Sequence, residues 1–126
     1  MQSAFGLTIP RTLEDVSSPD EMALLVYDMQ VGIVSQVKSG PEVVGRVGEV
    51  LTLARERGMR VFFTRHLSLP RELMGAFQYR TAMAWQRVES ADQVKPWFLR
   101  GSPGFEIVPE LAPLPSEASE RRPASS

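Results

Sequence analysis

One acidic side chain, Asp28, is the residue of this chain best placed for chemistry. It follows the apolar run Ala-Leu-Leu-Val-Tyr at residues 23–27 and precedes Met29 and Gln30. A short, uninterrupted apolar run with β-branched and aromatic members predicts a strand covered on both faces. Ligands of parallel α/β sheets bind beyond the carboxyl ends of the strands, so Asp28 is the predicted catalytic carboxylate. The alternative is a structural role, because Asp also stabilises turns by local hydrogen bonding.

The composition excludes several kinds of site. The chain has no cysteine, which excludes disulfides, thiolate metal sites and a cysteine nucleophile within these 126 residues. The single histidine, His66, supplies at most one imidazole, so a multi-histidine metal site within this chain is also excluded. We interpret His66 as a structural residue and predict neither a metal nor another cofactor.

The net charge and the hydropathy of the chain argue against some classes of binding partner. The net charge is −1, and the 14 basic and 15 acidic residues are spread along the sequence, so no basic surface for a nucleic acid is predicted. No apolar run approaches the roughly 20 residues that cross a bilayer. Residues 1–11 lack the features of a signal peptide. We therefore predict no nucleic-acid partner, no membrane partner and a cytoplasmic location.

A strand-helix-strand unit positions Asp28. Apolar residues spaced by three and four predict an amphipathic helix that begins near residues 39–41 and ends at Gly58. The β-branched and aromatic segment 59–64 predicts a second strand directly afterwards. Such crossovers are right-handed in about 98% of cases, which brings Asp28 and residues 64–66 to one crevice.

The remaining segments are less regular. Residues 67–98 are compatible with a helix in two pieces, broken near residues 79–81, that passes over the crevice. Within it Trp85 is a candidate substrate-binding residue. Gln30 is a second candidate, for which lining the pocket and facing solvent are equally supported. Most other aromatic side chains of this region are interpreted as core, and these are Phe77, Tyr79, Trp97 and Phe98.

Four segments together resemble the N-terminal half of an isochorismatase-like cysteine hydrolase. They are Tyr-Asp-Met-Gln at 27–30, Gly-Met-Arg-Val-Phe-Phe-Thr-Arg-His at 58–66, Leu-Arg-Gly-Ser-Pro-Gly at 99–104 and Glu-Ile-Val-Pro-Glu-Leu-Ala-Pro at 106–113. Their order and spacing are more specific than any one of them. The resemblance implies a six-stranded parallel sheet with helices on both faces and a catalytic Asp, Lys and Cys.

The resemblance assigns only one of those three catalytic residues to this chain. Asp28 matches the aspartate of the family, whereas the lysine and the cysteine have no counterpart. Where the lysine strand is expected, residues 117–122 read Glu-Ala-Ser-Glu-Arg-Arg. The predicted fold class is therefore α/β, a partial doubly wound (Rossmann-like) parallel sheet in a three-layer αβα arrangement whose C-terminal strands are missing.

The predicted domain organisation has three parts. Residues 1–21 form a loosely ordered N-terminal arm, and residues 22–114 form an incomplete isochorismatase-like domain. Residues 115–126 contain no large apolar side chain, which predicts a disordered tail.

Two functions follow from these observations. The first is hydrolysis of an amide, carbamoyl or vinyl-ether bond in a small molecule, with this chain truncated and inactive alone. The alternative is a non-catalytic binding or assembly module that retains the half-fold, with an apolar sheet edge that requires a partner, and here a homo-oligomer is one option. A dinucleotide-binding unit is disfavoured because no Gly-x-Gly-x-x-Gly follows the first strand.

Overall fold

The N-terminal segment forms a small hairpin and one helical turn. The computed structural model describes residues 1–123, with side chains described through residue 117. Thr12 and Asp15 form a capping box, in which each side chain accepts a hydrogen bond from the other residue's backbone N–H. This local pairing and capping order the segment, in contrast to the loosely ordered arm expected from the sequence. Its elements are β1 Gln2–Ala4, β2 Leu7–Ile9 and α1 Leu13–Val16.

The rest of the described chain alternates strands with helices. The strands are β3 Ala23–Tyr27, β4 Arg60–Leu67 and β5 Ala118–Pro123, and the helices are α2 Val31–Val34, α3 Gly40–Glu56 and α4 Ala76–Gln86. Short 3₁₀ turns occupy Arg71–Leu73, Ala91–Gln93, Pro103–Phe105 and Pro109–Leu111. None of the helices in residues 1–123 is long and apolar enough to cross a membrane.

A three-stranded parallel sheet in the order β3-β4-β5 forms the centre of the fold. Ala23 pairs with Arg60 and Tyr27 with Thr64, which aligns the carboxyl end of β3 with the middle of β4. Helix α3 connects these two strands, so the predicted strand-helix-strand unit is present. The predicted fold class is confirmed as a partial doubly wound α/β fold.

The C-terminal segment differs from the expected disordered tail. Residues 118–123 form β5, which pairs in parallel with β4 from Phe62 opposite Ala118 to Leu67 opposite Pro123. Backbone hydrogen bonding to a central strand needs no apolar side chain, which is why the hydropathy of this segment did not predict a strand. Residues 124–126 of the predicted tail lie outside the described residues.

The region between β4 and β5 also departs from expectation. Helix α4 runs unbroken through residues 79–81, where a break was predicted, because no Gly or Pro interrupts residues 76–86. The interruption lies instead at residues 74–75, between the 3₁₀ turn after Pro70 and the start of α4. Phe77 is 66% exposed and not part of the core that was predicted for it.

The hydrophobic core lies between the sheet and α3. Its buried members come from β3, α3, β4 and the segment after residue 107: Val26, Val44, Leu51, Ala54, Val61, Phe63, Val108 and Leu111. On the opposite face of the sheet, Trp85 of α4 reaches His66 with 5.6 Å between ring centroids. Leu25 and Tyr27, which alternate with Val26 along β3, are about half exposed at 53% and 54%. The second helical layer therefore covers this face only at its carboxyl-terminal end in the described part of the chain.

An ion pair fixes the approach to β5. The Nε of Arg55 donates to Oε2 of Glu117 at 2.9 Å, and its Nη2 donates to Oε1 at 2.6 Å. The backbone N–H of Leu114 donates to the same Oε1 at 2.8 Å. These bonds, and above all the two from Arg55, lower the pKa of Glu117, while Glu117 raises the pKa of Arg55. The ion pair thereby connects the C-terminal end of α3 to Glu117, the residue that precedes β5.

Acid should weaken the ion pair between Arg55 and Glu117. Because the pKa of Glu117 is lower in the folded chain than in the unfolded chain, its contribution is complete above the unfolded value of about 4.3 and is lost as the pH falls through the folded value. We expect Glu117→Gln to cost about 1 kcal/mol at pH 7 and to flatten the pH dependence of unfolding between about pH 5 and pH 3. Urea denaturation at several pH values measures both effects.

The exposed pair Arg46–Glu49 provides the matched control, since its nitrogen and oxygen lie 3.6 Å apart on the surface of α3. Glu49→Gln should leave both the free energy of unfolding and its pH dependence nearly unchanged. Equal behaviour of the two variants would show that the Arg55–Glu117 pair does not stabilise the fold.

Candidate functional site

The backbone and its neighbour on β4 hold Asp28 at the carboxyl end of β3. Its φ of 51° lies in the left-handed region, which Asp tolerates better than most residues. The Asp28 N–H donates to the Thr64 carbonyl at 3.2 Å and to Thr64 Oγ1 at 3.1 Å. Thr64 Oγ1 in turn donates to Asp28 Oδ1 at 2.7 Å. Asp28 as a whole residue is 8% exposed, and its carboxylate has a defined position at the strand end that the sequence predicted.

Thr64 belongs to the segment 64–66 that the sequence placed at the crevice, but the sequence assigned it no role of its own. Its hydroxyl orients the carboxylate because it both accepts from the Asp28 backbone and donates to the Asp28 side chain. The signal available in the sequence is its register. A polar residue that ends the second predicted strand, beside the end of the first, is placed to contact the group that follows that first strand.

Gln30 is fully buried and does not line the cleft at Asp28. Its Nε2 donates to the carbonyls of His66 at 2.9 Å and Phe105 at 2.8 Å. Its Oε1 accepts from the His66 N–H at 2.6 Å. The side-chain amide thus pairs with β4 as a peptide group of a neighbouring strand would. These bonds replace both sequence-based alternatives, a pocket wall and a solvent-facing side chain, with a structural role.

The segment at residues 105–108 is joined to the same place. The Val31 N–H donates to the Glu106 carbonyl at 2.8 Å, and the Val108 N–H donates to the Met29 carbonyl at 3.0 Å. Gln30 and Ile107 form an isolated antiparallel bridge. Hydrogen bonds therefore connect residues 29–31, which follow Asp28, to both β4 and residues 105–108.

A cleft of about 450 Å³ opens beside Asp28. Its walls come from the ends of β3 and β4, from α2 and the residues after it, from α4 and from residues 97–98. The lining residues are Tyr27, Asp28, Ile33, Gln36, Val37, His66, Trp85, Trp97 and Phe98. The structure thus brings two predicted site residues, Asp28 and Trp85, to one cavity.

Aromatic rings form most of the wall. His66 is buried between Trp85 and Phe98, with ring centroids 5.6 Å and 5.3 Å away, and its ring meets Phe98 edge-on at 87°. Trp97 meets Phe98 in a similar edge arrangement, with centroids 6.5 Å apart. Trp97 and Phe98, interpreted from the sequence as core, have a face on the cleft. Spacing along the chain did not predict this contact with the cleft, because Trp97 and Phe98 lie in a turn outside the helices and strands.

Arginine side chains do not line this cleft. Arg65 alternates with Thr64 and His66 along β4, and its guanidinium lies over the Phe105 ring at 4.4 Å and 3.4 Å from the Glu106 carboxylate. A larger groove of about 610 Å³ between α2, α3 and residues 108–110 is mainly lined by valine and proline and does not include Asp28. The cleft at Asp28 is therefore the candidate functional site.

The fold and this site define a class of protein. The chain has a parallel sheet with a crossover helix, and a buried carboxylate lies beside a cleft at the carboxyl end of one strand. This is the arrangement of a doubly wound α/β protein with its ligand site at that edge. The family model described as "Isochorismatase domain" matches residues 22–125. The chain belongs to the isochorismatase family.

Solved structures of this family are similar in fold. A cysteine hydrolase from Pseudomonas syringae pv. phaseolicola 1448A has a TM-score of 0.64 at 23% identity, over 85% of this chain and 48% of its own. The pyrazinamidase of Pyrococcus horikoshii in complex with zinc has a TM-score of 0.56 at 20% identity, over 80% and 51%. An isochorismatase family protein from Desulfovibrio vulgaris subsp. vulgaris str. Hildenborough has a TM-score of 0.55 at 22% identity, over 77% and 50%.

The chain thus spans about half the length of each of these three structures. A search of curated proteins finds no match. Although the pyrazinamidase structure contains zinc, the described side chains of this chain, those of residues 1–117, bring together no group of three His, Cys, Asp or Glu that could hold a metal ion.

Proposed function

We propose that this chain is the aspartate-bearing half of an isochorismatase-family hydrolase that acts on an amide, carbamoyl or vinyl-ether bond of a small molecule in the cytoplasm. The observation that carries this proposal is the position of Asp28, buried at the end of β3, held by Thr64 and open to an aromatic cleft. Trp85, on the rim of that cleft, is the proposed substrate-contacting residue.

The role of Asp28 follows from what a hydrolase of this type needs. A nucleophile that attacks a carbonyl or related carbon must lose a proton, and a carboxylate within hydrogen-bond reach accepts it. The hydroxyl of Thr64 fixes the direction of the carboxylate before the substrate binds, because it holds Oδ1 at 2.7 Å.

The chain contains no cysteine, so a thiolate nucleophile has to come from outside these 126 residues. We therefore expect the chain alone to be inactive. Removal of the nucleophile from a catalytic group that acts as a unit costs on the order of 10⁶ in kcat. The uncovered side of the sheet, where Leu25 and Tyr27 are half exposed, is consistent with a fold that a further polypeptide completes.

A chimera tests this proposal. In the Pseudomonas syringae cysteine hydrolase, residues 22–113 of this chain replace the matching segment. We expect the folded chimera to hydrolyse a substrate of that enzyme and Asp28→Asn to reduce kcat at least about 10³-fold, because the proton acceptor is lost. Product release is measured by chromatography, and the unmodified 126-residue chain is assayed beside it.

Asp92→Asn is the matched control, since Asp92 lies within the transferred segment, is exposed and does not line the cleft, so it should not affect turnover. A chimera whose activity is unchanged by Asp28→Asn would contradict the catalytic role of Asp28. A folded chimera without any activity would instead favour the second candidate, a non-catalytic binding or assembly module, which the uncovered face of the sheet also supports.

A further inference from the structure

We propose that the N-terminal hairpin, β1 and β2, docks into the apolar groove between α2, α3 and residues 108–110 of a second copy of this chain. Phe5, at the tip of the hairpin, is the proposed anchor, and the valines of the groove receive it. The groove does not include Asp28, so this inference is independent of the proposed function.

The hairpin has one apolar face. Its register pairs Gln2 with Ile9 and Ala4 with Leu7, so the side chains of Ala4, Leu7 and Ile9 share a face, while the two hydroxyl side chains between them point the other way. Leu7 is 63% exposed and Ile9 is 39% exposed. Neither strand contacts another helix or strand that the structure describes. The rest of the described fold therefore leaves this apolar face open to a partner.

The turn of the hairpin presents an aromatic side chain in an uncommon backbone conformation. Phe5 and Gly6 have φ of 53° and 74°, and a type I′ turn requires such positive values at both central residues. Asn, Asp and Gly are preferred in these positions, and a bulky residue there is an outlier. Phe5 is also fully exposed. A strained backbone that displays an aromatic ring in solvent indicates a recognition role, since aromatic anchors often dominate protein interfaces.

The groove is a suitable receptor for such an anchor. Its volume is about 610 Å³, and valine and proline make up most of its lining. Buried Val44 and Val108 line it together with Val37, which is 47% exposed. Concave apolar sites of this kind bury protruding aromatic side chains at interfaces. Docking would remove apolar surface of both the hairpin and the groove from water.

The charges on the two surfaces are complementary. Arg11, just after β2, is the only charged side chain in residues 1–11. Glu110 is exposed and is the only ionisable side chain among the described residues that line the groove. Lys38 and Glu42, next to lining residues in the sequence, offset each other in charge. A hairpin with Arg11 at its base therefore matches a groove with Glu110 at its rim.

The geometry favours a second copy over docking within one molecule. The groove lies beyond the carboxyl end of β3, because α2 and the start of α3 follow that end. The hairpin lies before the amino end of β3, and residues 17–22, about 20 Å when fully extended, link α1 to this strand. Strand β3 itself is about 17 Å long. Two copies can instead exchange hairpins reciprocally, which closes the assembly as a dimer.

Sedimentation velocity of the unmodified 126-residue chain, from about 1 to about 200 µM, tests for this dimer. We expect a concentration-dependent shift from 14.0 kDa to twice that mass, with a Kd in the micromolar range because the contact is small. Phe5→Ala should weaken dimerisation at least about tenfold. Phe77→Ala is the matched control, an exposed aromatic outside both hairpin and groove, and should leave the Kd unchanged.

Charge reversal tests the pairing of the two surfaces. Arg11→Glu and Glu110→Arg should each weaken dimerisation about tenfold, since a reciprocal dimer contains this pair twice. Both changes in one chain should restore the Kd to within about threefold of the unmodified value. Misfolding of a single variant cannot produce this rescue. A double variant as weak as the single variants would overturn the assignment of the groove as the docking site.

The chain has no native cysteine, so disulfide trapping can locate the contact. Leu7→Cys leaves the anchor Phe5 in place, and Val37→Cys labels the groove; both positions are exposed. The two single variants are mixed and oxidised, and a bond forms only where the Cα atoms approach within about 7 Å. We expect mass spectrometry to detect a disulfide between position 7 of one chain and position 37 of the other, and none when Phe77→Cys replaces Leu7→Cys.

A chain that stays monomeric at every concentration would overturn the proposal, as expected if a different polypeptide covers the hairpin. Coupling only between two Leu7→Cys chains would also overturn it, because the hairpins would then pack against each other. The same holds if a monomeric chain that carries both cysteines links them internally at a rate independent of concentration. No turnover is measured, so these outcomes are separate from those of the chimera.

Discussion

Replacement of Gln30 by leucine is expected to lower the free energy of unfolding by about 4 kcal/mol. The side chain is fully buried and makes three hydrogen bonds, to the N–H and carbonyl of His66 and to the carbonyl of Phe105. Leucine has a similar volume but leaves these backbone groups without their partner, at about 1–3 kcal/mol each. Such a loss is a large part of the 5–15 kcal/mol typical of a domain. Urea denaturation followed by circular dichroism measures it.

Gln36→Leu is the matched control for this prediction. Gln36 makes one exposed hydrogen bond, from its Nε2 to the Gly32 carbonyl at 2.6 Å, so water can replace its partner. The expected cost is below about 1 kcal/mol. Similar costs for the two leucine variants would show that the buried amide does not hold β3, β4 and residues 105–108 together.

A methyl group at Gly32 should be the second large perturbation. A Cβ built there would lie 2.8 Å from Cε1 of Phe98 and 3.0 Å from the carbonyl oxygen of Gly104. Phe98 is buried and the carbonyl belongs to the backbone, so neither moves away at low cost. We expect Gly32→Ala to destabilise the fold by about 1–3 kcal/mol and to shift the fluorescence of Trp97, which is in contact with Phe98. Chemical denaturation and emission spectra measure the two effects.

The same substitution at Gly45 should have the opposite sign. Gly45 lies within α3, is exposed, and has no neighbouring atom within 4 Å of the place that an added methyl group would occupy. Alanine there reduces the conformational freedom of the unfolded chain and should stabilise the helix by about 1 kcal/mol. Loss of stability at Gly45 equal to that at Gly32 would contradict the argument that close contact with Phe98 and Gly104 is the cause.

Local sequence patterns predicted the part of the fold that depends on local order. The apolar run at residues 23–27 became β3, and the apolar spacing before Gly58 became α3, which ends at Glu56. Gly58 has a φ of 70°, the conformation that glycine adopts most readily after a helix. The position of Asp28 followed from the strand that precedes it. Each of these features depends on residues that lie close together in the sequence, within one helix or strand and its ends.

Features that depend on distant residues were not predicted. Gln30 is 36 residues from His66 and 75 residues from Phe105, so its bonds have no local signature. Strand β5 has a composition typical of disorder and owes its order to β4. Trp85, a candidate substrate-binding residue from the sequence, lines the cleft, whereas the contribution of Trp97 and Phe98 depends on how residues 97–98 pack against His66.

Strand β3 has consequences for the behaviour of the protein at high concentration. It is an edge strand of the described sheet, and its sequence Ala-Leu-Leu-Val-Tyr carries no charge. Such an edge is a template for strands of other molecules, and the exposed charge that precedes it, Glu21, limits this association. Near the sequence pI of about 5.8 the net repulsion between molecules is smallest. Colloidal stability should therefore be lowest at mildly acid pH, because electrostatic repulsion between molecules then opposes association through β3 least.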